Sequence, residues 1–161
     1  MANLTDICAV LKNYFLKDYI NLTDIKRGTF TISGHAFAPL DFQIKSGQYF
    51  RIKGSDLNDG VWLNTVDGLK TLADEEFTGE IWLMSVPKAV ITLADDIDAW
   101  RAKYENVNSA NMSPYSSENV SGVYSYSKSS GGGSTSGGGN STDWQTQFAS
   151  RLSAWRRISE L

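Results

Sequence analysis

The 161-residue sequence predicts an α+β protein with three main helices and a small antiparallel β-sheet or half-barrel inserted between the first and second helices. Two observations support this class. Apolar residues recur at steps of three and four over residues 87–104, which is the spacing of one helical face. Short alternating runs separated by turn residues, typical of strands, fill residues 28–85. We expect a helical domain of residues 1–27 and 86–161 around an inserted β-rich module of residues 28–85.

The first helix is predicted over residues 5–16, with Asn3 or Thr5 as its cap. Its apolar stripe consists of Leu4, Ile7, Cys8, Leu11 and Phe15. Cys8 is the single cysteine of the chain and lies on this stripe. We interpret it as a small core residue rather than a reactive thiol, because buried free cysteine usually serves packing.

The β-rich module contains four or five predicted strands, four of which cover residues 29–32, 48–53, 61–63 and 80–84. In the second strand, Phe50 and Ile52 are predicted to point inward and Arg51 outward. A turn over residues 58–60, Asn-Asp-Gly, separates the second strand from the third, because these residue types tolerate left-handed backbone. No connection within the module has room for a crossover helix, so the strands should pair antiparallel.

The central helix is predicted over residues 87–104, and Pro87 suits its first turn because a proline lacks the N–H that would have no helical partner there. Its apolar stripe consists of Val90, Leu93, Ile97, Trp100 and Tyr104. Residues 129–141 then form a Gly/Ser-rich flexible spacer. A last helix follows the capping residues that end at Asp143. Its inward face consists of Trp144, Phe148, Leu152 and Trp155.

Composition and charge exclude several classes of protein. The net charge of −3 and the pI of about 5.1 argue against a protein that coats nucleic acid or binds an anionic membrane. The first residues lack the basic region and apolar core of a signal peptide, and no apolar run is long enough to span a bilayer. We expect a cytoplasmic protein, or one that assembles there into a larger particle, without a membrane partner.

The residues that carry chemistry do not combine into a catalytic set. His35 is the only histidine, so a zinc site or a Ser–His relay would lack parts. Residues 56–60 are similar to a calcium loop, but their glycine comes one residue early and the closing glutamate is missing. Asp95 and Asp98 share one helical face without a third ligand, which indicates a solvated face. We therefore expect no catalytic residue, no metal and no cofactor, and hence no enzyme.

Exposed aromatic and basic residues stand out near the C-terminus. Tyrosine, tryptophan and arginine are the residue types enriched at interface hot spots. The candidate partner-binding residues on this ground are Tyr115, Tyr124, Tyr126, Trp155, Arg156, Arg157 and Ile158. We expect the apolar face of the last helix to pack inward and its terminal residues 155–158 to be available to a partner.

These C-terminal residues resemble the head–tail connector (adaptor) proteins of tailed bacteriophages. That family has a segment Ser-Glu-x-x-x-Gly-x-Tyr-Ser after its main helix, and a last helix that ends in an aromatic residue followed by arginines. The first pattern is matched by Ser117, Glu118, Gly122, Tyr124 and Ser125, and the second by Leu152, Trp155, Arg156 and Arg157. The resemblance covers roughly the C-terminal half and the first helix, and residues 28–85 depart from the all-helical form of that family.

The resemblance implies a structural protein of the phage neck without catalytic activity. Such a protein assembles as a ring, usually of twelve copies, that docks under the portal protein, extends the DNA channel and receives the next neck or tail protein. DNA passes through without being bound specifically. The resemblance adds Ser117 and Glu118 to the residues expected to contact the portal or a neighbouring copy. It implies a place in the virion, at the head–tail interface, after assembly in the bacterial cytoplasm.

Two alternative functions remain. The first is a stopper or tail-completion protein of the neck, in which the β-rich module would be the core and the helices accessory. The second belongs to another class, a small ligand- or glycan-binding β-module with Tyr49, Trp62 and Trp82 as a stacking platform. Aromatic residues in short strands are more often part of a core, which weighs against this second alternative.

Overall fold

The computed structural model describes residues 4–38, 41–105 and 143–158, and the backbone of residues 117–120 and 124–127. The helices are α1 (Leu4–Leu11), α2 (Val66–Leu69), α3 (Lys88–Tyr104), α4 (Trp144–Gln147) and α5 (Ala149–Ser153). The strands are β1 (Ile25–Ser33), β2 (Ala36–Ala38), β3 (Tyr49–Lys53), β4 (Gly60–Leu63), β5 (Glu75–Leu83), β6 (Ser117–Val120) and β7 (Tyr124–Ser127).

Five of these strands form one antiparallel sheet in the order β2-β1-β5-β3-β4. The two longest strands, β1 and β5, pair at its centre, with Phe30 opposite Phe77. Ile52 of β3 lies opposite Ile81 of β5, so this face of the sheet is apolar along three adjacent strands. β6 and β7 pair antiparallel in a separate two-stranded sheet.

The fold is α+β and dominated by its sheet, so the expected core of three main helices is wrong. Among the described residues, α3 is the only helix longer than eight residues. The first helix ends at Leu11, earlier than predicted, because the next residue, Lys12, has a left-handed backbone (φ 51°). The last helix is interrupted at Phe148, where φ is −104° and ψ is 13°, so α4 and α5 are single turns.

A large apolar cluster lies between the helices and one face of the sheet. The central helix agrees with its prediction, and it buries Val90, Leu93 and Ile97 in this cluster. Tyr49 and Val61 of the sheet pack against the same cluster. The remaining buried members of this cluster come from α1, from the α1–β1 and β5–α3 connections, and from α3, α4 and α5. They are Leu4, Ile7, Cys8, Leu11, Phe15, Met84, Ala94, Trp144 and Leu152.

Cys8 is a packing residue, as predicted. Its side chain is buried in the helical cluster, and this burial raises the pKa of its thiol to about 12. Because the thiolate is the reactive form, a thiol with so high a pKa is inert at neutral pH.

The opposite face of the sheet carries a second core, which the connection after β2 and the short helix α2 cover. Its buried residues are Phe30, Ile32, Phe50, Ile52, Leu72, Phe77 and Ile81. Phe37, Phe42 and Ile44, from β2 and the connection that follows it, pack against this core. The connection after β2 and α2 thus cover one face of the sheet, whereas the helices cover only part of the other, where Arg27, Thr29 and Thr78 are exposed.

Where β3 ends, the chain passes very close to β5 at two glycines. Gly54 has a φ of 90°, a backbone conformation that favours glycine. A Cβ atom on Gly79 would lie 2.2 Å from the carbonyl oxygen of Lys53. This close passage directs residues 54–59 along β5 towards Glu75, where that loop is fixed by hydrogen bonds described below.

Candidate partner-binding site

The C-terminal segment packs against the helical cluster. Asp143 caps α4, since its Oδ1 accepts a hydrogen bond of 2.8 Å from the Thr146 backbone N–H. Trp144 and Leu152 are buried, which confirms that the predicted apolar face points inward. Phe148 meets the ring of Trp100 edge to face, with centroids 6.4 Å apart.

Trp155 and Arg157, two of the predicted partner-binding residues, contact their own chain. The ring of Trp155 lies edge-on to the ring of Phe15, with centroids 6.2 Å apart. The backbone carbonyl oxygen of Trp155 accepts a hydrogen bond of 2.8 Å from Asn13 Nδ2. The Arg157 N–H donates to the carbonyl oxygen of Leu11 at 2.9 Å. The end of the segment is thus anchored at the end of α1.

Arg156 and Ile158, the other two residues of this predicted segment, are exposed. Ile158 is 104% exposed, and Ile20, the residue after Tyr19, is 91% exposed. The guanidinium of Arg157 lies 3.6 Å from the centroid of the Tyr19 ring. Ile158 follows Arg157 in the chain and Ile20 follows Tyr19, so each exposed isoleucine is adjacent in sequence to one member of this stacked pair.

The base for this anchoring is the connection over residues 12–24, which side-chain oxygens hold in place. Asn13 Oδ1 accepts hydrogen bonds from the Phe15 N–H at 3.0 Å and the Tyr19 hydroxyl at 2.6 Å. Asp24 Oδ2 accepts from the Lys17 N–H at 2.9 Å. Sequence reasoning missed this connection. The available signal was a series of Asn and Asp residues after a helix, because these residue types bind backbone N–H groups in turns.

The remaining predicted residues lie in the segment between α3 and α4. Tyr115 lies outside the described residues. Ser117 and Glu118 belong to β6, and Tyr124 and Tyr126 belong to β7. The register places Glu118 opposite Tyr126 and Ser117 opposite Ser127. Sequence reasoning did not predict this hairpin, and the role of these residues towards a partner stays a prediction.

A second rigid element is the loop between β3 and β4, residues 54–59. The Glu75 carboxylate accepts hydrogen bonds from the Ser55 hydroxyl, from the Asp56 N–H at 2.9 Å and from Asn58 Nδ2 at 2.9 Å. Asn58 is buried, and its side chain forms two further hydrogen bonds with the Ala73 backbone, of 2.8 and 3.0 Å. β3 and β4 pair antiparallel across this loop, as the predicted hairpin requires, but its turn lies at residues 56–58, and Gly60 of the predicted turn 58–60 already belongs to β4.

Replacing Glu75 with glutamine should weaken the fold at neutral pH by about 1–2 kcal/mol, because an amide cannot accept this set of hydrogen bonds. The Ser55 hydroxyl, with the other donors, lowers the pKa of Glu75 below its ordinary value. A carboxylate whose pKa is lowered by folding stabilises the protein at pH values above its unfolded-state pKa of about 4.3. This contribution is lost as the pH falls through the folded-state pKa.

Urea unfolding from pH 7 to pH 3 measures this contribution. Glu75→Gln should lose less stability between these limits than the wild type. Glu76→Gln is the matched control, because Glu76 is the exposed neighbour on the same strand. Equal pH dependence of the wild type and Glu75→Gln would contradict the role of this carboxylate.

The predicted stacking platform does not form. Trp82 is 3% exposed and packs edge-on against Tyr14, with centroids 5.2 Å apart. Trp62 lies opposite Phe50, whereas Trp82 lies opposite Arg51, the next residue of the same strand. Because successive residues of a strand point to opposite faces, the two tryptophans lie on opposite faces of the sheet. This arrangement removes the basis of the glycan-binding alternative.

His35 is exposed in the turn between β1 and β2, with a φ of 65°. It lines a surface cleft of about 250 Å³ together with Phe37, Phe42 and Leu69. Within the described ranges, no group of three His, Cys, Asp or Glu side chains is placed to hold a metal ion. Over the same ranges, no helix has the length and apolar character needed to cross a bilayer.

Comparisons of the chain with protein-family models, with curated proteins and with solved structures give no match.

Proposed function

We propose that this chain is a structural, non-catalytic protein of the tailed-phage neck that holds neighbouring virion proteins through its C-terminal segment. The observation that carries the proposal is the exposure of Arg156 and Ile158 on a segment whose other residues, Trp155 and Arg157, are fixed to the body of the protein. The proposed partners are the portal protein, the next neck or tail protein, and neighbouring copies in a ring.

A fixed segment suits a docking role for an energetic reason. Binding costs free energy when flexible side chains and loops become ordered at an interface. Here the backbone that carries Arg156 and Ile158 is ordered before any partner arrives, because it is bound to Asn13 and Leu11. The exposed pair is also of suitable chemistry, since arginine is enriched at hot spots and isoleucine supplies apolar area.

Within the neck, the sheet-dominated fold favours the stopper or tail-completion role over the helical adaptor. The five-stranded sheet forms the body of the protein, with an apolar core on one face and helices over part of the other. This is the arrangement expected if the β-rich module is the core and the helices are accessory. The ring geometry of an all-helical adaptor gains no support from it.

The double variant Arg156→Ser/Ile158→Ser should fold normally and fail to enter particles. Both side chains are exposed, and exposed substitutions usually change stability by less than about 0.5 kcal/mol. The measurement is the amount of the chain in purified particles after complementation of a phage that lacks the gene. The matched control, Val66→Ser/Lys70→Ser, removes an exposed apolar and an exposed cationic side chain at α2 and should be incorporated normally.

Incorporation of the C-terminal variant at the wild-type level would refute its docking role. Absence of the wild-type chain from particles would refute the neck assignment itself. The native mass of the chain, alone and mixed with the portal protein of the same genome, separates the two neck roles. A multi-copy ring on the bare portal supports the adaptor, whereas binding only to a portal that already carries an adaptor supports the stopper.

A further inference from the structure

Five of the six arginines fall into two groups by the contacts of their side chains, and the sixth, Arg156, is exposed. Arg27, Arg101 and Arg151 each form an ion pair with a carboxylate, at 2.7, 2.8 and 2.8 Å. The guanidinium groups of Arg51 and Arg157 contact aromatic rings instead, and no carboxylate or hydrogen-bond acceptor within the described residues binds them. A guanidinium carries five N–H donors in a fixed planar arrangement. In Arg51 and Arg157 these donors are left to water or to a ligand.

Arg51 is held by two rings. Its guanidinium lies 4.0 Å from the centroid of Tyr14 and 4.8 Å from that of Trp82. Trp82 is itself fixed, because its indole N–H donates to Glu80 Oε2 at 2.7 Å. Cation–π contacts of this kind hold the side chain in place, and Arg51 as a whole is half-buried.

Arg157 is held in the same way. Its guanidinium lies 3.6 Å from the centroid of Tyr19, and the hydroxyl of Tyr19 donates to Asn13 Oδ1 at 2.6 Å. The Arg157 backbone N–H is bound to the Leu11 carbonyl oxygen. Both the ring and the backbone that position this guanidinium are therefore fixed by hydrogen bonds.

The aromatic rings beneath the two stacked arginines pack on one common cluster. Tyr14 and Tyr19 are both part of the 12–24 connection, and both pack on the small cluster of Leu16, Ile25 and Trp82. We propose that Arg51 and Arg157 together bind the carboxylates of an acidic segment of a partner protein, and that Ile20 and Ile158 contact apolar residues of that segment. This inference rests on the proposed docking function and names the chemistry of the partner.

Charge favours a protein ligand over DNA. DNA binding depends on a row of cations that displaces counterions from many phosphates. Here the protein carries a net charge of −3, and the carboxylates of Asp18 and Asp24 lie in the same connection as Tyr14 and Tyr19. Two separate guanidinium groups suit individual side-chain carboxylates, which they can bind in a bidentate manner.

The test is binding of a fluorescein-labelled peptide with the repeat Glu-Glu-Leu to the full chain, measured by fluorescence polarisation at low salt. The variant Arg51→Lys/Arg157→Lys keeps the charge and loses the planar donor arrangement, so we expect about tenfold weaker binding. Arg27→Lys is the matched control, because Arg27 is already paired with Glu80. This variant should leave the affinity for the peptide unchanged.

Three results would overturn the inference: no binding of the peptide by the wild type, equal affinity of the wild type and the double lysine variant, or tighter binding of a duplex DNA that the variant abolishes. Thermal unfolding of the variant establishes that its fold is retained. Particle incorporation separates this inference from the proposed function. A chain that enters particles through Arg156 and Ile158 without binding the peptide keeps its neck role and loses this binding site.

Discussion

Gly79→Ala should destabilise the protein by about 3 kcal/mol, the upper range for forcing an extra methyl group into a packed site. The added Cβ would lie 2.2 Å from the Lys53 carbonyl oxygen, and a backbone atom cannot move aside without displacing its strand. Either β3 separates from β5 or the Lys53–Gly54 passage shifts. Both responses pull residues 54–59 away from Glu75, so amide exchange in that loop should accelerate as well.

Gly28→Ala is the matched control for this prediction. Gly28 lies directly opposite Gly79 in the pairing of β1 with β5. A Cβ at Gly28 would meet only the Phe30 Cζ atom, at an ordinary contact distance of 3.9 Å. Its free energy of unfolding in urea should stay within about 0.5 kcal/mol of the wild type. If both variants lose the same free energy of unfolding, the close contact between Gly79 and the Lys53 carbonyl oxygen is not the reason that glycine is required at position 79.

Phe50→Ala should cost about 3–5 kcal/mol, the range for removing a fully buried phenylalanine. Phe50 is 0% exposed and lies in the core of the sheet, between Trp62 of β4 and Leu83 of β5. Its ring also meets Phe37 edge to face, with centroids 5.5 Å apart. The truncation therefore leaves a cavity where two strands and the covering connection meet.

Phe42→Ala is the matched control for Phe50, because it removes the same atoms from the half-buried rim of the same core. We expect it to cost about half as much, since its site can collapse or fill with water. Urea unfolding of both variants gives the comparison. If Phe42→Ala lowers the free energy of unfolding as much as Phe50→Ala does, this core is centred on the covering connection rather than on the sheet.

The elements that could be predicted from the sequence are those whose signal is local. The central helix has an uninterrupted apolar stripe, and Pro87 marks its start, so the predicted and observed bounds agree within one residue. β3 alternates without a break. The missed first half of β5 begins with Glu75, whose carboxylate binds a loop up to 20 residues earlier in the chain. A short-range pattern gives no reason for an acidic residue to begin a strand there.

The ends of the helices depend on contacts that the sequence pattern does not contain. Phe15 continues the apolar stripe of the first helix, yet it adopts a φ of 52° because the Asn13 side chain binds its N–H. Arg51 occupies an outward position of β3, as predicted, but its half-buried state depends on Tyr14 and Trp82 from distant parts of the chain. For the same reason, the sequence did not indicate that Trp155 and Arg157 are anchored.

The anchoring of the C-terminal segment has a consequence for the order in which the protein forms. Asn13 and Trp155, joined by a hydrogen bond, are 142 residues apart in the chain. At a synthesis rate of about 5–20 residues per second, the ribosome makes Trp155 at least about seven seconds after Asn13. During that interval the helical cluster lacks Trp144 and Leu152, two of its buried members. A nascent chain that stops early therefore never places Arg157 beside Tyr19, so only chains synthesised past Arg157 form this stacked pair.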